Sequence, residues 1–189
     1  MQYFTTEYID FFKDLAKNNN KEWFHANKKR YENNVKKPFL NFVTALVAEL
    51  NSIDKDIIIE PKKCISRINR DIRFAKDKTP YNLHLNAIIS KGDQKNNPHP
   101  IIAVRFGGFE TGIMSGHFMP SKESLLNIRN QIKENQQAFS LLYNNKNFVE
   151  KYGSIQGEAN KRIPPAFQEA FKTEPLIANK QFYFVAEQI

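Results

Sequence analysis

Residues 101–119 read I-I-A-V-R-F-G-G-F-E-T-G-I-M-S-G-H-F-M, and this stretch decides the fold. Residues 101–106 form one strand pattern and residues 110–119 another. Gly107-Gly108 separates them, a pair suited to a tight antiparallel hairpin because glycine reaches the backbone angles such turns need. Upstream, Leu83, Leu85, Ala87 and Ile89 alternate with His84, Asn86 and Ile88, which predicts a half-buried strand. Residues 64–69 also alternate and read as a strand. Ile57-Ile58-Ile59 is a short β-branched run that fits a buried strand. Downstream, Q-F-Y-F-V at 181–185 reads as a last strand.

Helical patterns lie on both sides. Residues 5–17 place Tyr8, Phe11, Phe12 and Leu15 on one face, with Thr5 or Thr6 as the cap. Asn19 and Glu22 have the form of a capping box for the next helix. Pro38 predicts a kink or a break near Lys36-Lys37 and opens a next helix running to about Asn51, carried by Phe39, Phe42, Val43, Leu46, Val47 and Leu50. After Pro120, Ser121 caps a helix with Leu125, Ile128 and Ile132 on its apolar face. Further helices are expected over 136–143 and 148–152, the last ending at Gly153. Residues 157–175 read as irregular. Helices, then strands, then helices and a final strand indicate an α+β fold. The expectation is a single domain over 1–189, with N-terminal helices packed on a mostly antiparallel sheet and further helices after it.

Composition narrows the class. With 189 residues, 41% hydrophobic and 25% charged, the chain can bury one substantial core. Sixteen Phe and seven Tyr predict an aromatic core, and only seven Gly argue against a barrel of many short strands. The single cysteine, Cys64, excludes an intrachain disulfide and is expected to be a small core residue. No apolar run is long enough to span a bilayer, and no secretory leader is visible, so a cytoplasmic location is expected.

Charge concentrates in K-K-C-I-S-R-I-N-R-D-I-R-F-A-K-D-K-T-P-Y, residues 62–81. Four Lys and three Arg face only Asp71 and Asp77, a surplus of five in a chain of net charge +8. Two arrangements suit it. Arg67, Arg70 and Arg73 can grip a phosphate or carboxylate, since guanidinium presents a planar fork of donors, with Lys76 and Lys78 adding charge. Alternatively, Asp71 and Asp77 bind those arginines and lock a long loop. Glycine is absent between Asn51 and Gly92, so no backbone phosphate cradle can form there, and any anion is held by side chains. His25, His84, His99 and His117 lack metal-ligand spacing, so neither metal nor cofactor is expected. Ser115, in G-I-M-S-G-H, lacks the strand–helix setting of a hydrolase nucleophile.

The stretch R-I-N-R-D-I-R-F-A-K-D-K-T-P-Y, residues 67–81, resembles the signature of the family known as domain of unknown function 2461. Residues 18–31, N-N-N-K-E-W-F-H-A-N-K-K-R-Y, are similar to its N-terminal helix motif. Residues 115–129, 157–167 and 180–184 are similar to its later segments. His117-Phe118 departs from the pattern, and the chain lacks a further helical stretch after the last strand, which suggests a C-terminally shortened member. The resemblance implies an α+β fold but no reaction. It groups Trp23, Asn27 and Tyr31 with Arg67, Arg70, Arg73, Asp77, Lys78 and Tyr81, and with Lys161 and Arg162.

Three functions are open at this point. The leading one is a binding module for an anionic small molecule, gripped by Arg67, Arg70 and Arg73, with Lys78 adding charge and Trp23 and Tyr81 walling the pocket. The second is an enzyme acting on such a molecule, with Asp77 as the acid or base. The third is nonspecific nucleic-acid binding through the basic face.

Overall fold

The computed structural model describes residues 2–91 and 99–188, without the side chains of 187 and 188. Most of the loop expected over 91–100 lies outside the described residues. The N-terminal part contains α1 (Thr6–Lys17), α2 (Lys21–Ala26), α3 (Lys28–Tyr31), a π-helical turn (Glu32–Lys36), α4 (Lys37–Ile53) and α5 (Pro61–Cys64). Strands β1 (His84–Ser90), β2 (Ile101–Gly107) and β3 (Thr111–His117) follow. Then come α6 (Lys122–Glu134), α7 (Gln136–Tyr143), α8 (Lys146–Tyr152), α9 (Gln168–Thr173) and β4 (Phe182–Gln188). The strands form an antiparallel sheet in the order β1-β2-β3-β4, and the fold is α+β.

The chain divides into two compact units. The first comprises Met1–Gly92, Ala103–Ile113 and Glu187–Ile189; the second comprises Asp93–Ile102 and Met114–Ala186.

The first unit is built on aromatic packing. Tyr8, Phe11, Phe12 and Leu15 leave α1 at helical spacing and are all buried. They meet Val35, Phe39 and Val43 from the π turn and α4, and Leu85, Ala87 and Ile89 from β1. The rings meet mostly edge-on or tilted, as in Phe11–Phe12 at 5.7 Å and 80°, the arrangement ring quadrupoles favour. The Tyr8 hydroxyl donates to the Phe106 carbonyl at 3.1 Å, and burial pushes its pKa far above the ordinary tyrosine value.

Pro38 opens α4 in its first turn as expected, but the helix does not break at Lys36-Lys37. Proline has no N–H to offer the carbonyl four residues back, and the helix widens just before it. The Lys37 N–H reaches the Glu32 carbonyl, five residues back.

The second unit has its own smaller core of Ile132, Phe167, Ala170 and Ile177. Ser121 caps α6 by accepting from the Ser124 N–H, and Gly153 closes α8 at φ +70°. The buried Arg129 donates to the carbonyls of Ile177, Ala178 and Asn179. Those bonds satisfy the last turn before β4.

Four local expectations need correction. Residues 64–69 do not form a continuous strand: Cys64 ends α5, and only Ile65 and Asn69 bridge, to Ala87 and Tyr81. The alternation there reflects two isolated bridges with a bend between them. Ile57-Ile58-Ile59 is not a strand, and Ile58 is 83% exposed. The run has no ladder partner, and propensity without a partner does not make a strand. Asn20, not Asn19, caps α2, accepting from the Trp23 N–H at 2.9 Å. The irregular stretch at 157–175 contains α9, preceded by a 3-10 turn at Pro165–Phe167.

Gly116 sits at φ +139°, and a Cβ placed there would lie 2.1 Å from the Phe182 carbonyl oxygen. Gly116→Ala should therefore destabilise the protein by about 1–3 kcal/mol. The exposed Ile58→Ser should change stability by less than about 0.5 kcal/mol. Urea unfolding midpoints compare the two directly.

Candidate functional site

The basic stretch becomes a closed loop. Its base is a short antiparallel pairing: Asn69 bridges Tyr81, the Arg70 N–H donates to the Pro80 carbonyl at 2.9 Å, and the Asn82 N–H donates to Ile68 at 2.8 Å. Pro80 keeps Thr79 out of helical angles, so the exit strand stays extended.

Within the loop the charges pair among themselves. Arg70 Nη1 lies 2.5 Å from Asp77 Oδ2 and also bonds the Thr79 hydroxyl and, at 3.2 Å, the Thr79 carbonyl. Asp77 accepts from the Thr79 N–H at 2.9 Å and its hydroxyl at 2.8 Å. Arg73 holds Asp71 through Nε at 2.9 Å and Nη2 at 2.6 Å. Lys78 Nζ donates to the Ile72 carbonyl at 2.9 Å.

The electrostatic effect on the acids is direct. The Thr79 N–H, the Arg70 guanidinium and the Thr79 hydroxyl hold the Asp77 carboxyl down at about 2. The Arg73 guanidinium likewise holds Asp71 below the usual carboxylate range. A carboxylate so stabilised is a weak base at neutral pH.

Arg67 is placed differently. Among the described residues it makes no hydrogen bond or ion pair, and it influences Asp71 only through space. It lines an open cleft of about 570 Å³ in the first unit. One wall comes from Phe24, Tyr31, Glu32, Lys36 and Leu40; the other from Lys62 and residues 65–69. The size suits a small molecule, since ligand pockets run roughly 300–1,000 Å³. Lys36 is paired with Glu32 at 3.0 Å, whereas Lys62 has no partner among the described residues.

Tyr31 is only 7% exposed, yet its hydroxyl has no hydrogen-bond partner among the described residues. Burial, aided by Glu32, pushes that hydroxyl up to about 12, so it is a neutral donor at physiological pH.

Trp23 and Tyr81 serve packing. Trp23 lies 5.6 Å from Phe11, half-buried against the core. Tyr81 is buried and stacks on Phe24 at 4.1 Å and 19°. Asn19 grips its backbone from both sides: Nδ2 donates to the Tyr81 carbonyl at 2.9 Å, and the Tyr81 N–H donates to Oδ1 at 3.1 Å. Asn27 donates to the Trp23 carbonyl. Lys161 and Arg162 are exposed residues of the second unit.

The sequence missed Phe24 and Lys36 as cleft residues. Pro38 was the available signal, because the π turn it induces carries Glu32 and Lys36 to the cleft rim. Such wide turns occur often at functional sites.

A family model described as "Conserved hypothetical protein (DUF2461)" matches residues 7–188. The chain belongs to this family. No curated protein and no solved structure matches it. Membership in DUF2461 agrees with the family resemblance of the sequence and supplies no reaction. Among the described residues, no group of three His, Cys, Asp or Glu is arranged to hold a metal ion. His84 instead pairs with Glu110 at 2.9 Å, and Glu110 also holds Arg105. No described helix is long and apolar enough to cross a membrane.

The loop geometry has a pH signature. Asp77 has a lower pKa folded than unfolded, so its contribution to loop order is present above the ordinary aspartate range and is lost as pH falls toward about 2. Carbon-13 NMR should show its carboxyl titrating near 2, and Arg70→Ala should raise that midpoint. An ordinary midpoint in the unaltered protein would contradict the closed loop.

Proposed function

We propose that this protein binds a small anionic molecule that carries both a phosphate or carboxylate and a flat or apolar portion. The supporting observation is the cleft's composition. Two cations without an ion-pair partner among the described residues, Lys62 and Arg67, line the same cavity as the aromatic side chains of Phe24 and Tyr31. Arg67 offers a bidentate fork to an oxyanion and Lys62 a point charge. The ligand's apolar part would lie against Phe24 and Leu40. The Tyr31 hydroxyl would gain the partner that a buried polar group ordinarily has.

This reading moves the weight of binding from Arg70 and Arg73 to Arg67. Arg70 and Arg73 already spend their donors on Asp77, Thr79 and Asp71, and taking them for a ligand would release those acids. In this reading Arg70 holds the loop base, and so the segment bearing Arg67, in position, while Arg73 only neutralises Asp71.

Calorimetry with phenyl phosphate and inorganic phosphate tests the proposal. Phenyl phosphate should bind about 3- to 10-fold tighter, because its ring adds aromatic contacts worth about 0.5–1.5 kcal/mol. Arg67→Ala should weaken binding by roughly 10-fold or more, the value of a charged hydrogen bond. Arg73→Ala, an exposed change, should leave binding intact. Loss of binding in Arg73→Ala with none in Arg67→Ala would overturn the assignment.

A further inference from the structure

The loop at 70–80 presents a second feature, independent of the cleft. Phe74 stands at 95% exposure, the most exposed of the large hydrophobic side chains described. It is not on a slack segment. Arg70, Asp77 and Thr79 tie the loop's base, Lys78 is bonded to the Ile72 carbonyl, and the Ala75 N–H donates to the same carbonyl at 3.4 Å. The loop therefore holds an apolar ring in water in a fixed setting, and preorganisation of this kind lowers the ordering cost of binding.

The ring's surroundings indicate what it fits. Arg73 lies over it at 5.9 Å, and Lys76 makes no hydrogen bond or ion pair among the described residues. Within the loop its near neighbours are Arg73, Ala75, Lys76 and the half-buried Ile72, so Phe74 is the loop's one fully exposed large apolar side chain. A protein interface core needs a contiguous apolar patch, and an anchoring bilayer contact needs more than one inserted ring. One exposed ring among cations does suffice for a nucleobase. Bases stack on single aromatic side chains, while nearby Lys and Arg follow the phosphates. The chain's overall charge of +8 favours the same polyanion.

We infer that the Phe74 loop is a single-stranded nucleic-acid contact, with Phe74 stacking on one base and Lys76 engaging the adjoining phosphate, while Arg73 stays on Asp71. The recognition is independent of sequence, since every base offers a flat face, and it uses none of the residues lining the cleft.

Fluorescence anisotropy with a labelled oligothymidylate tests this on the full chain. Binding should weaken steeply with salt, and Lys76→Ala should reduce the log–log salt slope by about one. Phe74→Ala should weaken binding roughly 10-fold, the value of one base stacked on a ring. Phe74→Trp should restore it and Phe74→Leu should not, because stacking needs a planar face rather than an apolar one. These substitutions fall on an exposed position, so the fold should survive them, and unchanged phenyl phosphate binding would confirm that the cleft is unaffected. The inference is overturned if Phe74→Leu binds as well as the unaltered protein, or if Phe74→Ala has no effect. It is equally overturned if phosphatidylserine vesicles capture the protein while the oligonucleotide does not bind at low salt.

Discussion

Tyr81 is the point on which the first unit's working surface depends. Its backbone is held by both polar atoms of Asn19, its ring is stacked on Phe24, and it bridges Asn69 across the loop base. Those contacts tie residues 65–69 and Tyr81 to a much earlier segment, the turn before α2 and the helical wall carrying Phe24 and Tyr31. The cleft lies between that wall and residues 65–69. Its width is therefore set by a residue that does not line it. An Asn side chain bonded to a backbone in both directions acts as a one-residue strand partner, and it satisfies two backbone groups that would otherwise be left unmet close to the core.

The loop beyond Tyr81 divides its charges unequally. Each acid takes one arginine, so Asp71 and Asp77 neutralise Arg73 and Arg70 and leave Arg67 and Lys62 to the cleft. Exposed ion pairs contribute little to global stability, typically about 0–1 kcal/mol. Their role here is local. They fix the shape of a segment that has no apolar core of its own, and they occupy the guanidinium groups of Arg70 and Arg73.

Much of the fold was legible in the sequence. Tyr8, Phe11, Phe12 and Leu15 announced α1 because one buried face imposes helical spacing. Gly107-Gly108 marked the hairpin, although close packing and not turn angles requires glycine there: a Cβ at Gly107 would lie 2.5 Å from the Leu83 carbonyl oxygen. Residues 57–59 and 64–69 misled because β-branching and alternation describe a side chain's preference, not whether a neighbouring strand exists to pair with. Asn19 and Asn20 are chemically identical, so only the tertiary contact with Tyr81 decides which one caps the helix. At the candidate site, the sequence left two fates open for the arginines, and Arg70 and Arg73 take the ion-paired one. It did not separate Arg67 from Arg70, because three-residue spacing carries no facing information outside a helix. Nor did it find Phe24, which reaches the cleft from α2, or Lys36, which lies in the widened turn before Pro38.

The division of roles among the three arginines is the central claim, and their side chains can be observed one by one. Nitrogen-15 NMR of the arginine Nε–H groups during titration with phenyl phosphate reads each guanidinium separately. The account predicts that the Arg67 resonance moves with saturation while those of Arg70 and Arg73 stay where their aspartates hold them. Movement of Arg70 and Arg73 with a silent Arg67 would contradict it.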